Sequence, residues 1–499
     1  MRTGGPARWF ETVRGRSVGG RRRAPGRTGP RWVLLWACLA AAAGTLALLA
    51  AVPPYASADE TAHVDYAYQV WHGRLPEFFA GPELQVEHGA VPPVQWVSQH
   101  PPLSYLLLAP VVGPLVDAGH PVLAAYAGRL VTLVAAVGTV LVSGWAARWV
   151  TGRWGPAALL TPVLVASHVW VLRLGAAVYT DIFLALVVTA LLGLTARWLR
   201  VGRHGWAATA AWVLLPGCAA AIRLSGVPLA ALCVGAVGLH LLLRRRRDPR
   251  DWLLGVVLPV AVAVAGTAWF YLRNRALTGS VTGAQEEWAV EHLERELVPL
   301  SQALTSGGFW TLSFRQFAAA PGRADWINLA LFVVPALVGV AVGLAALRRQ
   351  GRAEPGADRM IAAVLACAVL GVTAQQLLYV THGGGAMGRY FAVLVLPFAL
   401  AVAAALGALR APAWALGAWC ALHLVDLVLD LRSVLARFAE QGLPTLGGTV
   451  AWPAAASHAL LLAAAVVAVG LALRRTRDQV VDRAATAVAP GGSPAREVG

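Results

Sequence analysis

The chain has 499 residues, 58% of them hydrophobic and only 13% charged; that is more apolar side chain than a water-soluble core can cover, so lipid must be its solvent. The formal charge of +16 does not indicate nucleic acid, because there is no lysine and the arginines gather at the ends of apolar runs instead of interleaving with aromatics. The five cysteines, Cys38, Cys218, Cys233, Cys367 and Cys420, are far apart inside apolar stretches, which gives neither a disulfide framework nor a metal knuckle.

Residues 1–31 are rich in Arg, Gly and Pro with no apolar period, and read as a disordered basic tail held near anionic headgroups. The first span follows at 32–52. "YASA" before Asp59 resembles a signal-peptide cleavage site, but a run of some twenty apolar residues exceeds an h-region of roughly 7–15, so an uncleaved anchor is expected. Residues 53–120 then form a long first outer loop. Within it "QHPPLSYLLLAPVVGPLV" carries too many prolines for a full span and reads as a short helix on the outer membrane surface.

Further spans are expected at 122–146, 156–174, 182–196, 206–222, 227–243 and 252–272, then, after a second outer loop at 273–325, at 326–347, 361–380, 390–409, 413–429 and 454–473. With a cytoplasmic N-terminus, this order puts every strong arginine cluster on one side: Arg148 and Arg153, Arg197 to Arg203, Arg244 to Arg247, Arg348 to Arg359, and Arg474 to Arg477. The fold class is therefore all-α, a polytopic transmembrane bundle of about twelve spans, with both termini cytoplasmic and 474–499 a disordered tail. No period of about 20 to 50 residues repeats, which argues against an obvious duplicated transporter.

The polar residues that carry chemistry sit at outer ends. "ADETAHVD" places Asp59, Glu60, His63 and Asp65 within seven residues just beyond the first span. In a helix over 58–71, Asp59 and His63 are one turn apart and Glu60 is rotated by about 100°. A carboxylate there can take the proton of an acceptor hydroxyl, while Glu60 or His63 orients it or holds a divalent metal ion. The competing reading is a solvated helix start with Ser57 as N-cap. Asp181, in "VYTDIFLAL", stands at the outer mouth of the fourth span, or caps it after Thr180. Arg223 lies near an outer helix end, where an anionic ligand and a structural ion pair are both open. Arg273 and Asn274, in "WFYLRNR", meet a phosphate at the membrane boundary or snorkel beside Trp269 and Tyr271. "THGGGAMGRYF" offers a glycine-rich outer turn with His382, Arg389 and Tyr390, an anion nest or a tight inter-helix turn.

In these motifs, over about residues 32–410, the chain resembles the GT-C superfamily of polytopic glycosyltransferases, and within it uncharacterised bacterial members related to the protein O-mannosyltransferase and aminoarabinose transferase groups. The resemblance implies Asp59 as the catalytic carboxylate with Glu60 beside it and Asp181 as the second-loop acidic position. His100, in "QHPPLSYLL", matches the His-Pro-Pro-Leu segment, and "AGRLVTLVAAVGTVLV" resembles the second-span signature around Arg129. Arg223, Arg273, Asn274, Arg389 and Tyr390 fall on later signatures. It makes 32–410 a catalytic module and 411–473 additional transmembrane helices. No large soluble domain is seen after the last span, where several members carry one.

The expected activity is inverting transfer of a sugar, hexosyl or pentosyl, from a polyprenyl-phosphate donor to an extracytoplasmic acceptor (a cell-envelope glycan, lipid or protein) in a bacterial-type cytoplasmic membrane. The rival is a transporter or flippase of an anionic lipid-linked substrate, and a third reading is a non-catalytic scaffold.

Overall fold

The computed structural model describes residues 28–202, 205–244, 248–318, 324–349 and 356–488, and among them all regular structure is helical. The chain is a multi-pass membrane protein. Among the described residues ten helices are long and apolar enough to cross a bilayer, and an eleventh crossing arises if Pro156–Ala166 and Val169–Gly175, bent by 45° at their break, form one span. The one remaining expected span, Trp206–Ile222, is a helix of 17 residues. Each of the twelve apolar segments is therefore helical, but ten or eleven, not twelve, have the length of a full crossing. Residues 1–27 of the basic tail, Arg203, Arg245 to Arg247 and Arg352 lie outside the described residues.

In chain order the first part comprises α1 (Thr28–Ala51), α2 (Ala58–Trp71), α3 (Leu103–Asp117), α4 (Pro121–Thr151), α5 (Pro156–Ala166), α6 (Val169–Gly175), α7 (Asp181–Val201), α8 (Trp206–Ile222) and α9 (Gly226–Leu243). Local chemistry sets several ends. Ser57 accepts the Glu60 N–H at 3.3 Å and opens α2, where Asp59 and Glu60 complement the helix dipole. Pro121 opens α4 and Gly152, at φ 76°, closes it. The proline-bearing segment forms a helix, α3, with Pro110 and Pro114 inside it, and it packs against α2 and α4.

The first long loop, residues 53–120, is folded tightly on α2. Asp65 accepts the Glu83 and Leu84 amides at 2.7 and 2.8 Å and the Gln69 and Gln95 side chains at 2.8 and 2.5 Å. The Tyr66 and Tyr105 rings stack at 3.7 Å between α2 and α3. Asp65 therefore anchors the loop.

After α9 come the long helix Pro249–Thr278, three short helices at Glu286–Leu293, Leu300–Thr305 and Gly307–Ser313, and the spans Trp326–Arg349 and Ala357–Thr381. A tight turn at Gly388–Leu394 leads into Val395–Gly407, followed by Pro412–Glu440 and Gly448–Val488. The final helix runs to Val488, so residues 474–488 are helical where disorder was expected. It lies along α1. Their close approach needs Gly44, where a Cβ would come within 2.7 Å of the His458 imidazole.

Candidate active site

Four helix ends meet at one end of the bundle around a cavity of about 980 Å³. Asp59 comes from the first turn of α2, Asp181 from the first residue of α7, and Arg223 from the position just after α8. Arg389 and Tyr390 come from the turn beyond Ala357–Thr381. All five line the cavity, together with His63 and His100.

The charges are arranged as two pairs. Arg389 Nη2 lies 2.6 Å from Asp59 Oδ2, and Arg223 Nη1 donates to Asp181 Oδ1. Both guanidiniums lie against the Tyr390 ring, at 5.0 and 5.6 Å from its centroid, so one aromatic ring is shared by the two pairs. Arg389 also covers the Tyr179 ring at 5.3 Å and donates to Tyr390 Oη at 3.1 Å. Its Nε is buried with no acceptor. A guanidinium with a spare, desolvated donor is prepared for an additional anionic oxygen.

Burial pushes the Asp59 carboxyl up, but Arg389, His63 and Arg223 outweigh it and leave it below the ordinary carboxylate range. His63 stacks between His100, at 6.1 Å, and Tyr105, at 5.8 Å, and its Nδ1 is 2.8 Å from Tyr105 Oη. Burial pulls its imidazole down to about 4, against the opposing pull of Asp59 and Asp181. His100 is likewise held well below its usual value, first by burial and then by Arg223.

Between about pH 6.5 and 4 an unfolded His63 binds a proton that the folded one refuses, so this site alone destabilises the fold as pH drops through that window, by up to about 3 kcal/mol. The thermal midpoint of the solubilised protein should fall from pH 7 to pH 5, and His63→Gln should flatten that dependence. Asp59 acts in the same direction but in a more acidic window, its contribution being present above pH 3.8 and lost only in stronger acid.

Glu60 departs from expectation. It points away from the cavity into a buried pocket, where it forms a two-bonded pair with Arg129 of α4, Nε to Oε1 and Nη2 to Oε2, each 2.7 Å. The carboxylate further accepts the Tyr55 amide at 3.0 Å and the Val178 amide at 3.1 Å. Arg129 donates its remaining hydrogens to the carbonyls of Val52 and Pro53, both at 2.7 Å, and of Leu49, at 3.4 Å. With Glu60 2% and Arg129 0% exposed, this is a satisfied structural network tying α1, α2, α4 and the start of α7 together. The 100° rotation between Asp59 and Glu60 sends one to the cavity and the other to the core.

The proposed metal ligation by Glu60 and His63 therefore fails geometrically, since both Glu60 oxygens are occupied on the far side of the helix. Among the described residues no group of three or more His, Cys, Asp or Glu is placed to hold a metal ion.

Arg273 and Asn274 also fall outside the cavity lining. Arg273 Nη2 donates to the carbonyls of Leu75 and Pro76 at 3.3 and 3.0 Å, and Asn274 Nδ2 to that of Gln99 at 3.2 Å. They clamp the first long loop to the end of Pro249–Thr278, behind the wall that Phe78 and Gln99 present to the cavity. The glycine-rich turn lines the cavity at Gly383 to Gly385. Its glycines permit close packing, since a Cβ on Gly384 would lie 2.3 Å from the Tyr379 ring.

The sequence reading missed Gln376 and the second-loop wall formed by Glu286, Trp288, Arg295 and Glu296. An uncharged amide inside an apolar run gives no signal, and short loop helices lack an apolar period long enough to orient them.

No family model and no curated protein matches the chain. Solved structures resemble it in shape. ArnT from Cupriavidus metallidurans bound to undecaprenyl phosphate superposes with a TM-score of 0.49 at 14% identity, covering 92% of this chain and 80% of that one. The archaeal oligosaccharyltransferase AglB from Archaeoglobus fulgidus, in complex with an inhibitory peptide and a dolichol-phosphate, gives 0.49 at 14% identity, covering 83% of this chain and 56% of its own. This chain thus spans little more than half of AglB.

Proposed function

We propose that the protein is a membrane glycosyltransferase that moves a sugar from a polyprenyl-phosphate donor to a hydroxylated acceptor, with its cavity facing the extracytoplasmic side. The observation that carries this reading is the double pair Asp59–Arg389 and Asp181–Arg223 over one tyrosine ring in one cavity. In the two pairs the charges balance. A donor phosphodiester competes for the guanidiniums and loosens Asp59 from Arg389, which leaves a carboxylate beside the sugar.

Asp59 then takes the acceptor's hydroxyl proton while that oxygen attacks the anomeric carbon from the face opposite the phosphate. The bond from the anomeric carbon to the phosphate oxygen breaks, its electron pair leaves with the polyprenyl phosphate, and the configuration inverts. Arg389 and Arg223 stabilise the growing phosphate charge in a site shielded from bulk water. Asp181 holds Arg223 in place and Tyr390 spaces the two guanidiniums. The arginine parity of the spans supports the outward orientation.

A transporter of an anionic lipid would carry its charges at mid-membrane on broken helices. Here the paired charges belong to helix ends and adjoining turns.

Binding of undecaprenyl phosphate to the full-length protein in lipid nanodiscs tests the phosphate site. Arg389→Gln and Arg223→Gln should each weaken it by about tenfold or more, the worth of one charge-assisted hydrogen bond. Unchanged affinity in both variants contradicts the assignment.

A further inference from the structure

Gln376 lies five residues before the end of the Ala357–Thr381 helix and lines the cavity. Its side chain is 8% exposed, and its Oε1 is buried with no hydrogen-bond donor. The helix itself gives no reason for an amide there. Thr373, one turn earlier, satisfies its hydroxyl on the Val369 carbonyl at 2.8 Å, and the adjacent Leu377 is buried and apolar. A carbonyl oxygen kept dry and unpaired is costly, and a ligand that brings a donor relieves that cost.

The surroundings narrow the ligand's chemistry. The helix packs against α7, which begins at Asp181, against α9, which follows Arg223, and against the Gly388–Leu394 turn. Gln376 therefore lines the same cavity as Arg223 and Arg389, on a different element from the guanidiniums. Its Oε1 is an acceptor and cannot bond a phosphodiester oxygen, which is an acceptor too. A sugar hydroxyl can donate to it, and the amide nitrogen can donate to a neighbouring hydroxyl, so the side chain matches a vicinal diol.

We infer that Gln376 reads hydroxyls of the donor's sugar and so separates a glycosylated polyprenyl phosphate from a bare one. The inference rests on the glycosyl-transfer reading and adds a specificity-determining residue to it. It also has a consequence for turnover. Once the sugar has left, the bare lipid phosphate loses this contact and is held by the arginines alone, which favours its exchange for a fresh donor.

The test uses the full-length protein in nanodiscs with three probes: undecaprenyl phosphate, its mannosyl ester and its arabinosyl ester. The wild type should bind at least one ester more tightly than the bare phosphate. Gln376→Met, close in shape but with no amide, should lose about 3- to 10-fold in affinity for that ester, one hydrogen bond's worth, and leave the bare phosphate unchanged. Unchanged binding of the bare lipid also shows that the variant is folded. If the variant binds the ester as tightly as the wild type does, or loses equally on both probes, or if the wild type prefers neither ester, Gln376 does not read the sugar and the phosphate site stands. If no probe binds the wild type, the glycosyl-transfer reading itself fails and the inference goes with it.

Discussion

Asp59→Asn should reduce sugar transfer by about 10²- to 10⁴-fold, the range that a positioned general base supplies, while undecaprenyl phosphate still binds. The substitution keeps the side chain's size, and the Asn oxygen can still accept from Arg389, so the cavity's shape survives and only the proton acceptor is lost. Asp59→Glu should recover part of the rate. The pH profile provides a second readout. Because Arg389, His63 and Arg223 hold the Asp59 carboxyl below its ordinary value, it stays ionised through the neutral and mildly acidic range, and His63 stays neutral down to about pH 4. Activity should therefore show no acid limb near pH 6 to 7 arising from either group. A limb at that position in the wild type that disappears in His63→Gln would contradict the assigned protonation states.

Glu60→Gln should act on stability. Removing one partner of a buried, two-bonded pair leaves Arg129 as an uncompensated charge, and such losses amount to about 3–5 kcal/mol. The Tyr55 amide is exposed to the same change, and Tyr55 sits at φ 60°, a left-handed backbone that a non-glycine residue adopts only when its surroundings hold it there. Arg129→Met should be at least as damaging, because it also strands the carbonyls of Val52 and Pro53. The measurement is thermal unfolding in detergent alongside turnover per folded molecule. Glu60→Gln should lower the midpoint steeply and leave the turnover of the surviving folded fraction near that of the wild type. An unchanged midpoint with lost turnover would return Glu60 to the chemistry.

The contrast between these two neighbours marks how far the sequence reaches. Asp59, Asp181, Arg223 and Arg389 were legible because each interrupts or borders an apolar run, and the parity of the runs puts them at one end of the bundle. That argument is blind to azimuth. It cannot show that Glu60 turns inward to meet Arg129, whose partner lies 69 residues earlier in the chain. Arg273 and Asn274 were misplaced for a related reason. At the end of a span a basic side chain looks the same whether it reaches a phosphate or a loop carbonyl, and only the folded first loop brings Leu75, Pro76 and Gln99 within reach. The helical class followed from hydrophobic run lengths, whereas the number of full crossings depended on the bend between α5 and α6 and on the shortness of α8, neither of which hydropathy alone sets.

The central claim is that the cavity breaks a sugar–phosphate bond, and the most direct measurement is the fate of the donor. The full-length protein would be reconstituted into liposomes containing a panel of glycosyl undecaprenyl phosphates radiolabelled in the sugar, with a membrane extract as the source of acceptors. Label should leave the lipid phosphate and appear in a new product, dependent on Asp59, with bare undecaprenyl phosphate accumulating in equal amount. If the protein instead carries an intact donor from one leaflet to the other and none of the panel is ever consumed, the account is contradicted and the transporter reading takes its place.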